Sequence, residues 1–443
     1  NAPVDHSGVP ACELKPSGGC LSNPNEPGRS SASLPRSMHH RPDWEGLPVS
    51  RAHHGRMNKM KKTLAALAVL GAFAGSAVAA DVTLYGAVDT GFKYTHEKVQ
   101  DFDGTSEDAT NTFEMANGIN ETSSFGLTGS EELGNGLTVS FKLENSFNSD
   151  DGTFGDDNNR LFDREASLSV SGGFGTVSFG RMGAAASAEG DYDTVFAIGD
   201  SFDGGDEFAR FVVGSDIYDN MITYQTPQIA GLQATVQYSF KIDSKDEASS
   251  KVEGRSTADR YASFALTGEY GPAQFVAAYE LQKYSTTLRE THDVNDGQSF
   301  YLGANVDFEV AKIFAMGQYF TGQRAFGDLD DEAFSDAGIA DLGKKGIKGY
   351  GLHLGTIVPV AGGELTVGAY YSDGKLQKSV GVAEDVDMSY VGAAARYCYS
   401  LSERTTLYVG GGYGELKVDK ITGAEQDAKR KTGGAYLGLS HTF

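Results

Sequence analysis

Residues 133–143, with the sequence LGNGLTVSFKL, join a tight-turn signal to a run in which apolar and polar side chains alternate. Gly-Asn-Gly is typical of a short hairpin turn, because Gly and Asn tolerate the positive φ angles that such turns require. In the run that follows, Thr138, Ser140 and Lys142 would share one face of a β-strand and the apolar side chains the other. The stretch therefore predicts a hairpin with one apolar and one polar face.

The same period of two recurs from about residue 80 to the end of the chain. It is clear in VTLYGAVD at 82–89 and in YLGLSHTF at 436–443, and no stretch shows a convincing helical period. Strands with one apolar face suit either a sandwich core or a membrane barrel. The chain is therefore predicted to be all-β, and these two architectures remain to be separated.

The spacing of turn signals separates them. Seven short signals divide residues 80–443 into eight segments of roughly 38 to 57 residues, each long enough for two strands and a polar loop. Short turns at one end and long loops at the other are typical of an outer-membrane barrel. The prediction is a transmembrane antiparallel β-barrel of sixteen strands, with short periplasmic turns and long external loops. The signals lie at 133–136, 172–175, 229–231, 270–272, 308–311, 360–363 and 401–404.

Composition agrees with this prediction. The 443 residues have a mean hydropathy of −0.32, whereas a helical membrane bundle needs several apolar runs of about 20 residues. Residues 80–443 carry 55 acidic and 28 basic side chains, so nucleic acid is not an expected partner. Cys398 is the one cysteine in that range, which leaves no intrachain disulfide and no cysteine metal site. Neither a cofactor nor a metal is expected.

The amino-terminal region predicts a processed precursor. Lys59, Lys61 and Lys62 precede the apolar run 63–80, which ends in small residues, and this order is typical of a secretory signal peptide at 57–79. The barrel would then begin near Ala80. Residues 1–56, rich in Pro and His, lie upstream of that signal and are predicted to be a non-native segment from a start site assigned too far upstream.

Several short strings lie in order along the chain, namely Asp81–Gly86, Gly126–Leu137, Arg164–Ala166, Gly173–Arg181, Asp219–Pro227 and the terminal Phe443. Taken together, they resemble the general diffusion porins of Gram-negative outer membranes. The resemblance implies a sixteen-stranded barrel, a homotrimer in the outer membrane, contacts with lipid and lipopolysaccharide, and a third loop folded inward to narrow a water-filled pore. It also implies that outer-membrane assembly machinery recognises the terminal aromatic residue.

The inward loop would lie at about 182–216. This stretch is acidic, and residues of that kind suit either a solvated surface loop or a charged pore constriction; the resemblance favours the constriction. Such a loop would raise the local cation concentration and repel anions. Its charged residues are Glu189, Asp191, Asp193, Asp200, Asp203, Asp206, Glu207 and Asp216, with Arg210 as the internal base.

In the resembling family, arginines on the barrel wall oppose the acidic loop. The three corresponding positions here are Ser124, Arg164 and Ile217 or Tyr218, so Arg164 alone is basic, and Arg181 is the second base assigned to the wall. Strand alternation places Arg164 on the same face as Ala166, so a bulge or shift is needed to bring it into the lumen.

The resulting functional prediction is passive diffusion of small hydrophilic solutes and ions, with a preference for cations. A substrate-selective channel for a sugar or an organic ion is the alternative. An outer-membrane hydrolase is disfavoured, because 199–203 (GDSFD) misses the G-x-S-x-G nucleophile motif. Asp150, Asp151, Asp156 and Asp157 lack the EF-hand spacing, so they are expected to form a solvated loop and not a calcium site.

If the precursor prediction holds, the mature protein begins close to Ala80. Amino-terminal sequencing of the protein purified from outer membranes tests this directly. A product that begins at Asn1, or that retains Cys12, would contradict both the signal peptide and the misassigned start.

Overall fold

A computed structural model describes residues 81–100, 109–155, 160–245, 251–286, 294–327, 329, 342–379, 382, 384–419 and 426–443. The predicted upstream segment and signal peptide lie outside the described residues, as do Asp156 and Asp157. Within these described residues, seventeen strand segments form one antiparallel sheet, and this sheet closes on itself because β1 pairs with β17. The closed, all-β architecture predicted from the sequence is confirmed.

All regular secondary structure of the described residues belongs to this sheet, apart from the short helix α1 (Val195–Gly199). None of the described helical residues forms a helix long and apolar enough to cross a bilayer. The strands are β1 (Asp81–Gln100), β2 (Thr110–Asn117), β3 (Ser124–Gly134), β4 (Leu137–Ser146), β5 (Glu165–Gly172), β6 (Gly175–Gly183), β7 (Ile217–Gln225), β8 (Leu232–Ser239), β9 (Arg260–Tyr270), β10 (Ala273–Lys283), β11 (Gly297–Asp307), β12 (Lys312–Gln323), β13 (Ile347–Val360), β14 (Gly363–Leu376), β15 (Val386–Ser402), β16 (Thr405–Val418) and β17 (Ala428–Thr442).

The seventeen segments occupy sixteen positions around the barrel. On one side β1 pairs with β17, and on its other side it pairs first with β3 and then with β2. β2 and β3 therefore lie end to end as one strand that is interrupted in the middle. The predicted count of sixteen strands is confirmed in this sense.

Short connections lie at all seven predicted turn signals, and the long connections lie at the opposite end of the barrel. In the first turn Asn135 has a φ of 54° and Gly136 a φ of 76°. These are left-handed conformations, which Asn and Gly adopt at little cost. The turn chemistry in the sequence therefore determines where the barrel reverses direction.

The strands place apolar side chains outward and polar ones inward. On β13, Leu352 is 51% and Leu354 is 63% exposed, whereas His353 between them is 4% exposed. Exposed apolar side chains in such alternation form the surface that faces lipid in a membrane barrel. The polar face thus lines the interior, as the period of two predicted.

The carboxyl terminus completes the closure of the barrel. The backbone N–H of Phe443 donates to the carbonyl of Gly86 at 2.9 Å, and the N–H of Gly86 donates back at 3.1 Å. The phenyl ring lies over Gly86, where an added Cβ would come within 2.6 Å of the ring carbon Cζ. Gly86 therefore leaves the space that the terminal ring occupies.

We expect deletion of Phe443 to lower the yield of folded barrel in the outer membrane, because it removes both the ring and two backbone hydrogen bonds that close the sheet. Phe443→Ala keeps the backbone bonds and removes the ring alone, so the two variants separate the contributions. The yield is measured on denaturing gels of unheated samples, as the fraction of the protein that runs as folded barrel. Normal assembly of both variants, with altered conductance, would contradict a role in assembly.

Candidate pore constriction

The connection between β6 and β7, residues 184–216, folds back into the barrel, and we call it the inner loop. Its contacts are with inward-facing residues of distant strands. The Asn305 amide of β11 donates to the carbonyl of Ile198 at 2.9 Å, and the N–H of Ser201 donates to Nε2 of His353 on β13 at 3.2 Å. The loop therefore lies against the inner wall of the barrel, and its residues correspond to the predicted inward loop at about 182–216.

Both ends of the inner loop are held by one carboxylate, that of Glu280 on β10. Its Oε1 accepts hydrogen bonds from the N–H of Ala186 at 3.2 Å and from the hydroxyl of Ser215 at 2.8 Å. The hydroxyls of Tyr261 and Tyr301 also donate to this carboxylate. Glu280 is 5% exposed, so the loop leaves and rejoins the wall at a buried anchor that the sequence did not reveal.

Asp200 anchors the middle of the inner loop. Its Oδ1 accepts a hydrogen bond from the hydroxyl of Tyr370 at 2.6 Å and another from the N–H of Phe202 at 2.9 Å, and Nε2 of His353 lies 3.4 Å away. The side chain is fully buried, and this burial raises the pKa of Asp200. Asp200 therefore holds the loop to β13 and β14, and its side chain is not exposed to the lumen.

Asp206 is a second anchor of the same kind. The hydroxyl of Tyr436 on β17 donates to its Oδ2, and the N–H of Phe208 donates to its Oδ1 at 3.2 Å. The rings of Phe208 and Tyr436 stack at a centroid distance of 6.3 Å. Burial again raises the pKa of Asp206.

Asp193 binds the start of α1. Its carboxylate accepts the N–H of Phe196 at 3.4 Å and that of Ala197 at 3.2 Å, so it satisfies two backbone donors that a helix start leaves open. Burial, together with the negative charge of Asp203, raises the pKa of Asp193 to about 8. Near neutral pH this side chain therefore adds little negative charge to the loop.

Three other loop carboxylates form ion pairs with bases of the wall. These bases project from separate parts of the barrel, so the pairs connect the loop to the wall on the side of β1 to β5. Ion pairs that are partly exposed to solvent contribute little stability each, about 0–1 kcal/mol, but they fix where opposite charges face each other. The pairs are Glu189 with Arg164 at 3.1 Å, Asp191 with Lys142 at 2.6 Å, and Glu207 with Lys93 at 2.7 Å.

Arg164 reaches the lumen because it precedes β5, which begins at Glu165. The alternation that would point it outward therefore does not apply, and its Nε donates to Oε1 of Glu144 at 2.5 Å. Arg181 also faces inward, and its Nη1 donates a hydrogen bond to Oδ1 of Asp219 at 2.7 Å. Both predicted wall bases thus lie near the inner loop and are paired with carboxylates.

Lys93 and Lys142 are wall bases that the sequence reasoning missed. The available signal was strand alternation, because Lys142 shares the polar face of β4 with Thr138 and Ser140. Lys93 on β1 likewise alternates with the outward-facing Phe92. The family resemblance points to arginine positions and therefore does not indicate these two lysines.

The remaining predicted residues are exposed. Asp203 and Asp216 lie on the surface of the inner loop, and so does Arg210, whose backbone N–H donates to the hydroxyl of Tyr390 at 3.3 Å.

A cavity of about 450 Å³ is lined by Arg164, Arg181, Glu189 and Asp216, among others. No group of three or more His, Cys, Asp or Glu side chains in the described part of the chain is arranged to hold a metal ion.

A closed sixteen-stranded antiparallel barrel with an apolar outer face, a polar inner face and an inward loop defines the class of outer-membrane channel proteins. A family model described as Gram-negative porin matches residues 65–419. The chain belongs to the Gram-negative porin family. It is an outer-membrane porin channel, and the family is non-enzymatic, so the hydrolase alternative falls away.

Individual relatives agree with this membership. An outer membrane porin protein of Bordetella pertussis is 32% identical over 87% of this chain and 100% of its own length. Outer membrane porin protein 32 of Delftia acidovorans is 30% identical over 79% of this chain and 88% of its own length. Among solved structures, an anion-selective porin from Comamonas acidovorans has a TM-score of 0.54 at 24% identity, over 82% of this chain and 100% of its own. At that identity the likeness supports the fold alone.

The Glu280 anchor gives a testable prediction. Glu280→Ala would leave buried donors from Ala186, Ser215 and the two tyrosines without an acceptor, at a cost of about 1–3 kcal/mol for each group that stays unsatisfied. We expect faster proteolysis within residues 184–216 and a lower unfolding temperature. Glu269→Ala, which removes an exposed carboxylate from the end of β9, is the matched control. Equal protease resistance of both variants would show that Glu280 does not hold the loop.

Proposed function

We propose that this porin passes small hydrophilic solutes and ions by passive diffusion, and that it prefers cations. The supporting observation is the charge pattern where the inner loop faces the wall. Fixed charges in a narrow passage with walls of low dielectric constant attract counter-ions and repel ions of the same sign. No catalytic step is involved, because charge and pore size select solutes during diffusion.

The ion pairs around the inner loop contain more acids than bases. Within the described part of the chain, five bases there are paired with eight carboxylates at distances up to 3.8 Å. The bases are Lys93, Lys142, Arg160, Arg164 and Arg181, and the carboxylates are Glu114, Glu144, Glu165, Glu189, Asp191, Glu207, Asp219 and Asp243.

The excess of carboxylates over bases sets the size of the expected cation preference. A unit charge at about 5–10 Å in an effective dielectric near 40 contributes on the order of 1 kcal/mol to the energy of a passing ion, and salt screens it over about 10 Å at 0.1 M. Burial raises the pKa values of Asp193, Asp200 and Asp206, and also that of Glu189, so these four carboxylates count for less than the others. The preference should therefore be several-fold and strongest at low ionic strength.

A substrate-selective channel is the second candidate, and one cavity favours it. This cavity of about 890 Å³ is lined by Arg210 and Arg324, by Gln282 and Gln323, and by Phe211, among others. Its size and mixture of cationic, amide and aromatic groups suit a small organic anion. Saturation of the current by one organic acid, but not by a sugar of equal size, would favour this candidate.

The proposal includes assembly and export. The exposed apolar band of the barrel suits contact with outer-membrane lipid and with two further copies in a homotrimer. A cleaved signal peptide at 57–79 would deliver the chain to the outer-membrane assembly machinery, and lipopolysaccharide would contact the long loops. Family membership and the sequence pattern support these proposed partners.

Reversal potentials of single channels across a potassium chloride gradient test the preference. We expect the wild-type channel to favour potassium, and Asp191→Asn and Glu207→Gln each to shift the reversal potential towards chloride, because each change leaves a wall lysine with fewer opposing carboxylates. Neither side chain is a buried anchor, so the barrel should assemble normally.

Glu253→Gln, in an exposed part of the loop between β8 and β9, is the matched control and should leave the potential unchanged. Lys142→Gln should shift the potential in the opposite direction. Chloride selectivity of the wild-type channel at low salt would overturn the cation preference, and an absence of conductance would overturn the channel itself.

A further inference from the structure

A second segment enters the barrel, at the interruption between β2 and β3. Asn117 of β2 pairs with Thr90, and Ser124 of β3 pairs with Ala87. Residues 118–123 are therefore six residues opposite only two residues of β1, 88 and 89. An ordinary β-bulge places two residues opposite one, so this insertion is much larger. We call residues 118–123 the inserted segment.

One carboxylate holds the inserted segment in place. Asp89 of β1 accepts hydrogen bonds from three consecutive backbone N–H groups, those of Ile119 at 3.2 Å, Asn120 at 3.3 Å and Glu121 at 3.1 Å. The hydroxyl of Tyr408 donates to the same carboxylate at 2.6 Å. Asp89 is 0% exposed, so this is a built and buried anchor.

The side chain of Ser123 replaces the backbone acceptor that the N–H of Asp89 loses at the insertion, while the carbonyl of Asp89 still accepts the N–H of Gly118 at 3.3 Å. The hydroxyl of Ser123 donates to the backbone carbonyl of Asp89 at 2.9 Å and accepts the backbone N–H of Asp89 at 2.9 Å. Both polar groups of the β1 backbone at this point are therefore satisfied, as the interior of a membrane barrel requires. The interruption costs the wall no hydrogen bond at Asp89.

The inserted segment points into the lumen and touches the inner loop. Asp89 lies on the inner face of β1, because the preceding residue, Val88, points outward. Ile119 packs in one buried cluster with Tyr408, Tyr436 and Phe208. Phe208 belongs to the inner loop, and Tyr436 also anchors that loop through Asp206. The two inward segments thus share a single packing core.

Polar side chains of the inserted segment border the aqueous interior on two sides. Thr122 lines the 450 Å³ cavity beside Arg164 and Glu189. Asn120 lines another cavity of about 730 Å³, which lies at the short-turn end of the barrel and includes the turn at 361–362. The segment therefore lies between the inner loop and the short-turn mouth.

Glu121 is the charged residue of this segment. It is exposed, and its Oε2 accepts a hydrogen bond from the hydroxyl of Ser440 on the inner face of β17 at 2.9 Å. No ion pair among the described residues involves Glu121, in contrast to Glu189, Asp191 and Glu207. None of the described basic side chains therefore neutralises the negative charge of the Glu121 carboxylate.

We propose that the narrow passage of this porin is built from two inward segments, the inner loop and residues 118–123, and that Glu121 is a selectivity-determining residue of the passage. The inference rests on the proposed channel function. It adds a second charge site, on the short-turn side of the inner loop, and this site is held by Asp89 and not by Glu280 or Asp200.

The charge is tested with Glu121→Gln in single-channel measurements across a potassium chloride gradient. We expect the permeability ratio of potassium to chloride to fall by about two-fold at low salt, the size expected for one unit charge at the edge of a passage. Glu253→Gln is the matched control. An unchanged ratio in a conducting Glu121→Gln channel would overturn the selectivity role and leave the channel function intact.

The narrowing is tested by deleting residues 119–122, which leaves Gly118 opposite Asp89 and Ser123 opposite Val88 and restores an even strand. We expect a larger single-channel conductance and permeation of larger uncharged sugars. An unchanged conductance and size limit in a barrel that assembles normally would show that the segment does not narrow the passage.

A cysteine variant decides the question if the deletion variant does not assemble. Glu121→Cys is combined with Cys398→Ser and treated with a bulky charged methanethiosulfonate reagent. We expect a stepwise loss of current that a reducing agent reverses. Complete labelling without a change in current would place residue 121 away from the conducting path and overturn the proposal.

Discussion

The closed sheet is the constraint on which the rest of the structure depends. Lipid offers no hydrogen-bond partners, so an open strand edge within the bilayer would leave several backbone groups unsatisfied, at several kcal/mol each. Pairing of β1 with β17 from Ala87 and Thr442 to Gln100 and Lys429 removes that edge. Because the wall is then continuous, its inner face can hold a loop in a fixed place.

The inner loop is held mainly by carboxylates that accept hydrogen bonds from tyrosines and backbone N–H groups. One carboxylate can accept about four hydrogen bonds, which explains why Glu280 alone can gather donors from both ends of the loop and from two strands. Hydrogen bonds to a charged acceptor contribute about 1.5–3 kcal/mol each. Burial raises the pKa values of Asp200 and Asp206, because desolvation disfavours the charged carboxylate and so offsets part of this gain.

The sequence predicts the fold well because the relevant signals are local. A period of two identifies a strand within ten residues, and Gly and Asn mark the turns at which strands reverse. Roles within the site are not local. Asp200 and Asp203 look alike in sequence, yet Asp200 is buried against Tyr370, a residue of β14 that lies 170 positions further along the chain, whereas Asp203 is exposed. Only the register of the closed barrel places one of them beside a tyrosine.

The interrupted strand formed by β2 and β3 is a second case in which local sequence does not predict distant contacts. Asn117-Gly118-Ile119-Asn120 has the composition of a turn, but nothing nearby indicates that Asp89 will accept three of its N–H groups or that Tyr408 will donate to the same carboxylate. Such an insertion leaves the register of β1 with β17 unchanged, because β1 pairs there through its other edge. Charges on the loop, the insertion and the wall can therefore vary while the barrel stays the same. Within one porin fold, the balance of these charges, and not the fold, is what should decide which ions pass.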